Sequence, residues 1–163
     1  MTGQRNVKGG LVMLALGIAG GLAMSLYAFQ PMVPVPASLA HYDDLPRRLF
    51  RLAHIAAVML PLINIVLGGW LDRLALSGRL KRACSGLLLL GGVALPLTLA
   101  IEGLFPPIIP LHVSALPAVA FFAGVALSAI GASRMKSPQE VVHDGRREGL
   151  RNRTAALQEG PRA

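Results

Sequence analysis

Charged residues are scarce in this chain. They make up 15% of its 163 residues, whereas apolar residues make up 53%. A soluble domain usually carries about 25% charged residues, so the apolar surplus must contact something other than water. Aromatic residues are also few, at 5%. Cys84 is the only cysteine, which excludes an intramolecular disulfide.

The motifs of soluble-type enzymes are absent as well. The sequence contains no glycine-rich phosphate loop, no GxSxG nucleophile elbow and no paired-cysteine motif. Its histidines show no HxxH, HxH or HExxH spacing, so no single helix offers a ready metal site. We therefore exclude a soluble-type enzyme. The basic stretch GRREGLRNR lacks interleaved aromatic residues, so no nucleic-acid partner is expected.

The chain contains long apolar runs instead of enzyme motifs. About 20 helical residues cross a hydrocarbon core of about 30 Å. Runs of this length are rich in Leu, Ala and Gly and show no alternation of polar and apolar residues, which favours helices over strands. We therefore predict an all-α integral membrane four-helix bundle whose transmembrane domain covers residues 10–132. Its spans are predicted at about 10–29, 49–71, 83–105 and 109–132.

Small residues recur within the predicted spans at helix-packing spacing. Gly17 and Gly21 lie four residues apart in the first span, and Ala120, Gly124 and Ser128 follow the same spacing in the fourth. Such ridges let helices approach closely in a bilayer. They predict packing within the bundle, with a homo-oligomer as the alternative. Kinks are predicted near the middle of three spans, at Pro61, Pro96 and Pro117.

Positive charges gather on one side of the predicted bundle. They precede the first span, fill the link between the second and third spans, and follow the fourth. Because Lys and Arg accumulate on the cytoplasmic side, we predict a multi-pass protein of the cell inner (plasma) membrane with both termini cytoplasmic. The net charge of +8 indicates attraction to anionic headgroups of the lipid bilayer. Residues 1–9 are the predicted cytoplasmic N-terminus, and residues 133–163 a disordered basic cytoplasmic tail.

The unusual polar residues of the spans are His54, Glu102 and His112. Each lies a few residues inside the outer end of its span, roughly 4–8 Å below the interface at about 1.5 Å per residue. His41 lies in the outer connection directly above them. Depth thus places these residues in one layer, although they come from distant parts of the sequence. This layer is the candidate functional site.

Two interpretations of the layer involve a bound cofactor. Imidazole and carboxylate ligands suit a transition metal such as Zn, Cu or Fe, which His54, Glu102, His112 and His41 would hold. Alternatively, His54 and His112 ligate a haem b, since haem ligation needs two histidines at one depth on facing helices. Quinol oxidation beside that haem would use His54 and Glu102 as proton acceptors.

Two further interpretations need no cofactor. In one, the same side chains pair with one another and with Arg51 near the interface and only hold the helices together. In the other, Asn64 and Thr98 continue the layer inward as a path for a solute or a proton. Weakly polar residues of that kind also form ordinary hydrogen bonds between helices.

The sequence therefore predicts a small membrane protein that serves as a redox or metal/haem-handling accessory protein, with a His/Glu site at the outer face. The segments YDDLPRRLFRLAHIA and PLHVSALPA match no family motif. The general plan alone, four short helices with outward-facing histidines, resembles small respiratory or metal-handling accessory proteins. The alternative is a non-enzymatic structural subunit or assembly partner of a membrane complex. In that case the polar layer only holds the helices together.

Overall fold

The fold consists of long helices. The computed structural model describes residues 2–28, 34–35, 37–41, 43–105, 112–135 and 146–151. A short 3-10 turn at Ala37–Leu39 precedes α2, and within the described ranges there is no strand. The long helices are all long and apolar enough to cross a membrane, which confirms the predicted all-α class with four candidate spans in the described residues. They are α1 (Thr2–Ala28), α2 (Leu45–Leu71), α3 (Gly78–Leu104) and α4 (Ala115–Ser133).

Consecutive helices pack side by side in antiparallel order. α2 packs against α1 and α3, α3 packs against α4, and α1 meets α3 more lightly. The end of α2 lies beside the start of α1, because the Asp72 carboxylate accepts hydrogen bonds from the N–H groups of Thr2 (3.2 Å) and Gly3 (3.3 Å). We call the end of the bundle that holds Thr2 and Asp72 the amino-terminal end. The opposite end, where α2 begins, is the far end.

This contact extends α1 beyond its predicted span. The apolar run begins at Gly10, but the helix begins at Thr2. The first N–H groups of a helix have no partner within the helix and carry partial positive charge, and the Asp72 carboxylate satisfies two of them. Asn6, which the sequence places in a cytoplasmic segment, is consequently helical and fully buried.

α4 begins later than predicted. Residues 106–111 lie outside the described residues, and residues 112–114 precede the helix, with the Ala115 N–H donating to the His112 carbonyl at 3.1 Å. The prediction that His112 lies about three residues past the start of the fourth helix is therefore wrong. The predicted mid-helix kink at Pro117 is wrong too. Pro117 lies in the first turn of α4, where its missing N–H costs no helical hydrogen bond.

The predicted small-residue ridges are used inside the bundle. Gly17 of α1 lies against the Ala57 backbone of α2, and Gly124 of α4 lies against Leu88 of α3. Ser128 continues the α4 ridge, lying 3.2 Å from the Cys84 sulfur. Close packing within the bundle thus accounts for these residues, and self-association stays a prediction.

The C-terminal tail is described only in part. Residues 146–151 are helical and exposed, whereas the sequence predicts disorder there. The other tail residues, 136–145 and 152–163, lie outside the described residues. The cytoplasmic location of both termini stays a prediction.

Candidate functional site

Glu102, near the end of α3, holds the start of α4. Its Oε1 accepts a hydrogen bond from the Ser114 backbone N–H and its Oε2 accepts one from the Ser114 hydroxyl, both at 2.9 Å. The Nδ1 atom of His112 lies 3.5 Å from Oε2. The Glu102 side chain is 7% exposed and that of His112 is 50% exposed. Because Ser114 engages both carboxylate oxygens, Glu102 fastens α3 to α4.

Ser114 was not among the predicted site residues. It is the N-cap residue of α4, but its side chain makes no capping hydrogen bond and donates to Glu102 instead. A serine directly before an apolar run is a sequence signal for the start of a helix, so its position at the helix start was predictable. The hydrogen bond from its hydroxyl to Glu102 depends on the contact between α3 and α4.

His54 lies against α1. A Cβ added at Gly21 would lie 2.6 Å from the Cε1 atom of the His54 ring, so the glycine at position 21 leaves room for the imidazole. The ring is half-buried. Across the described part of the chain, nothing donates to the ring nitrogens or accepts a hydrogen bond from them.

Of the predicted ligands, the structure brings together only Glu102 and His112. His54 lies against α1, and His41 is exposed in the turn before α2. Within the described ranges, no group of three or more His, Cys, Asp or Glu side chains could hold a metal ion. The predicted metal set and the predicted haem b between His54 and His112 therefore have no support in this geometry.

A cavity of about 340 Å³ lies beside His54, among α1, α2 and α3. α2 forms its floor, and its walls are α1 and α3, whose exposed side chains Leu16 and Leu97 stand at its edges. Because both lining residues are themselves exposed, the cavity is open to the surroundings of the bundle, which in a membrane are lipid. The lining is apolar except for His54; it includes Met13, Gly17, Gly20, Met24, Phe50, Ala57, Pro61, Gly92 and Pro96.

Glycine and proline residues explain why this space is not filled. A Cβ added at Gly20 would meet no heavy atom within 4 Å, so α1 leaves a gap there. Pro61 and Pro96 lie inside α2 and α3. Because proline has no N–H, the carbonyls four residues earlier, at Ala57 and Gly92, lose their usual helical donor. Both of these residues line the cavity.

A second group of polar side chains joins three helices near the amino-terminal end. The Asn6 amide donates to Asn64 Oδ1 at 2.9 Å, the Asn64 amide donates to the Leu88 carbonyl at 3.0 Å, and the Ser85 hydroxyl donates to Asn6 Oδ1. Thr98, predicted to extend a polar path from Asn64, donates to carbonyls of its own helix. Asn64 thus links helices, and the predicted path has no support.

No family model matches the chain, and neither a curated protein nor a solved structure matches it. Its function is therefore inferred from the geometry of the site.

Proposed function

We propose that the protein binds a lipophilic molecule within the membrane, in the cavity between α1, α2 and α3. The observation that carries this proposal is the position of His54, a half-buried imidazole without a hydrogen-bond partner in the described residues, in an otherwise apolar cavity of about 340 Å³. Small-molecule sites are typically apolar cavities of about 300–1,000 Å³ with a few polar groups. The side opening between α1 and α3 would admit a ligand directly from the lipid.

The proposal keeps one residue of the predicted redox or metal/haem-handling site. That role requires His54, Glu102 and His112 to act together. Both oxygens of Glu102 are engaged by Ser114, and His112 lies beside Glu102 rather than beside the cavity. Of these three residues, only His54 lines the cavity, so the proposed function is binding and includes no catalytic step.

Filling the cavity tests the proposal. Gly20→Leu places a side chain into open space at the cavity wall, whereas Gly86→Leu adds the same side chain at another open helix position that does not line the cavity. The probe is tritiated dodecanol, measured by scintillation proximity on protein in lipid nanodiscs, with empty nanodiscs as background. We expect saturable binding to the wild type, at least about tenfold weaker binding to Gly20→Leu, and unchanged binding to Gly86→Leu.

Two results would contradict the proposal. One is the absence of saturable dodecanol binding to the folded wild type above the empty nanodiscs. The other is equal binding by Gly20→Leu and the wild type. Circular dichroism of all three proteins confirms that the substitutions leave the helices intact.

A second candidate is the predicted alternative, a non-enzymatic structural subunit or assembly partner of a membrane complex. It is favoured by the hydrogen bonds of Asn6, Asn64 and Ser85, and by those of Glu102 and Ser114, because these side chains join helices. A folded wild type that binds no dodecanol would favour this candidate.

A further inference from the structure

The geometry points to one class of ligand for the cavity: an uncharged amphiphile whose hydroxyl or carbonyl head bonds His54 and whose apolar chain lies along the groove between α1 and α3. This inference rests on the proposed function and specifies the ligand of the same site. Three features of the cavity carry it, namely the hydrogen-bonding capacity of His54, the absence of charged side chains from its lining, and its length.

The first feature is the state of the His54 ring. A neutral imidazole carries one donor and one acceptor nitrogen, and neither has a partner in the described part of the chain. A polar group without a partner in apolar surroundings is unfavourable. A hydroxyl head can both donate and accept a hydrogen bond, and a carbonyl head can accept one, so either head would satisfy the ring.

The second feature is charge. Among the described residues, no Asp, Glu, Lys or Arg side chain lines the cavity, and an unpaired charge inside a membrane is costly. A charged head would therefore be unfavourable beside His54, whereas an uncharged head can bind there.

The third feature is length. On α2 the lining runs from Phe50 to Pro61, about 16 Å of helix at about 1.5 Å per residue. His54 lies in the first part, which leaves about 10 Å of apolar lining between it and Pro61. A chain of medium length fits this groove. Because lipid tails are as apolar as the cavity, moving the ligand's chain from lipid into the cavity contributes little to the binding free energy. The hydrogen bond to the head therefore decides which molecule binds.

Matched probes separate the head from the chain. Tritiated dodecanol, dodecane and dodecanoate share a chain and differ only in the head, and each is measured on protein in nanodiscs. We expect the wild type to bind dodecanol about three- to tenfold more tightly than dodecane, the ratio that one hydrogen bond supplies. His54→Leu should abolish this ratio, and His54→Gln, which keeps a donor and an acceptor, should restore part of it.

Several results would overturn the inference while leaving the proposed function intact. These are equal affinity of the wild type for dodecanol and dodecane, tighter binding of dodecanoate than of dodecanol, and an unchanged ratio in folded His54→Leu. In each case Gly20→Leu would still lose dodecanol binding, because that loss depends on the cavity and not on His54. If His54→Leu does not fold, the ratio of dodecanol to dodecane affinity in the wild type and in His54→Gln still tests the inference. If no probe binds saturably, the proposed function fails as well.

Discussion

At the scale of single residues, Asn64 is a buried polar side chain of α2 that joins two other helices. It accepts a hydrogen bond from Asn6 of α1 and donates one to the Leu88 carbonyl of α3, and it is 0% exposed. Within a membrane span, water does not replace a lost hydrogen bond. Asn64 therefore fixes how α1, α2 and α3 are placed relative to one another.

Replacing Asn64 should destabilise the bundle. Asn64→Leu keeps a side chain of similar size but removes both contacts, so we expect the free energy of unfolding to fall by about 1–2 kcal/mol. Thr98→Val is the matched control, because the Thr98 hydroxyl bonds only carbonyls of its own helix; its effect should stay within about 0.5 kcal/mol. Unfolding by SDS in mixed micelles measures both. Equal losses would contradict a helix-joining role for Asn64.

The sequence shows which residue types lie near the site, but it does not show which way each side chain points around its helix. A helix rise of about 1.5 Å per residue gives the depth of a side chain, and depth placed His54 and Glu102 in one layer. Depth does not tell which way a side chain points around its helix, and the two residues meet different neighbours. Asn6 was missed because it precedes the apolar run. Its spacing of four residues from Gly10, on the face that continues to Gly17, is the signal that would have found it.

At the scale of elements, α4 is held against α3 by close approach of their backbones. A Cβ added at Gly91 of α3 would lie 2.6 Å from the Phe121 Cβ and 2.8 Å from the Pro117 carbonyl oxygen. Backbone atoms cannot move aside as the end of a side chain can. Glycine at position 91 is therefore required for the observed distance between the two helices.

A methyl group at this contact should separate the helices. We expect Gly91→Ala to lower the free energy of unfolding by about 1–3 kcal/mol, the usual cost of overpacking. Gly86→Ala in the same helix is the control, since a Cβ there meets no heavy atom within 4 Å and alanine is the better helix former. SDS titration in mixed micelles measures the free energy of unfolding of both variants. A Gly91→Ala protein as stable as Gly86→Ala would show that α4 does not depend on this contact.

At this scale, the presence and order of the long helices were predictable from the sequence, whereas the residues at which they begin and end were not. Apolar length alone predicted four spans, and the described part of the chain has four helices long and apolar enough to cross a membrane. The ends depend on partners from other elements: Asp72 extends α1 back to Thr2, and Glu102 binds Ser114 just before α4. A local sequence pattern does not contain contacts between distant segments, so the early start of α1 and the late start of α4 were missed.

At the scale of the whole molecule, the antiparallel order of the helices collects most described positive charges at the amino-terminal end. Arg5 and Lys8 lie in the first turns of α1, and Arg79 and Lys81 in the first turns of α3. Trp70, at the end of α2, has the Arg73 guanidinium 5.7 Å from its ring centroid. Aromatic and cationic side chains are typical of the membrane interface. The orientation with the amino-terminal end in the cytoplasm was predicted from these same cations, and it stays a prediction.

Cysteine labelling tests that orientation. His41 lies exposed toward the far end and Ser133 lies exposed at the end of α4, so His41→Cys and Ser133→Cys place a thiol at opposite ends of the bundle. The native thiol of Cys84 is 0% exposed and should react little. We expect a membrane-impermeant maleimide to label His41→Cys in intact cells and Ser133→Cys only after permeabilisation, because cations are retained on the cytoplasmic side. The reverse pattern would invert the orientation, and equal labelling of both variants in intact cells would contradict a single orientation.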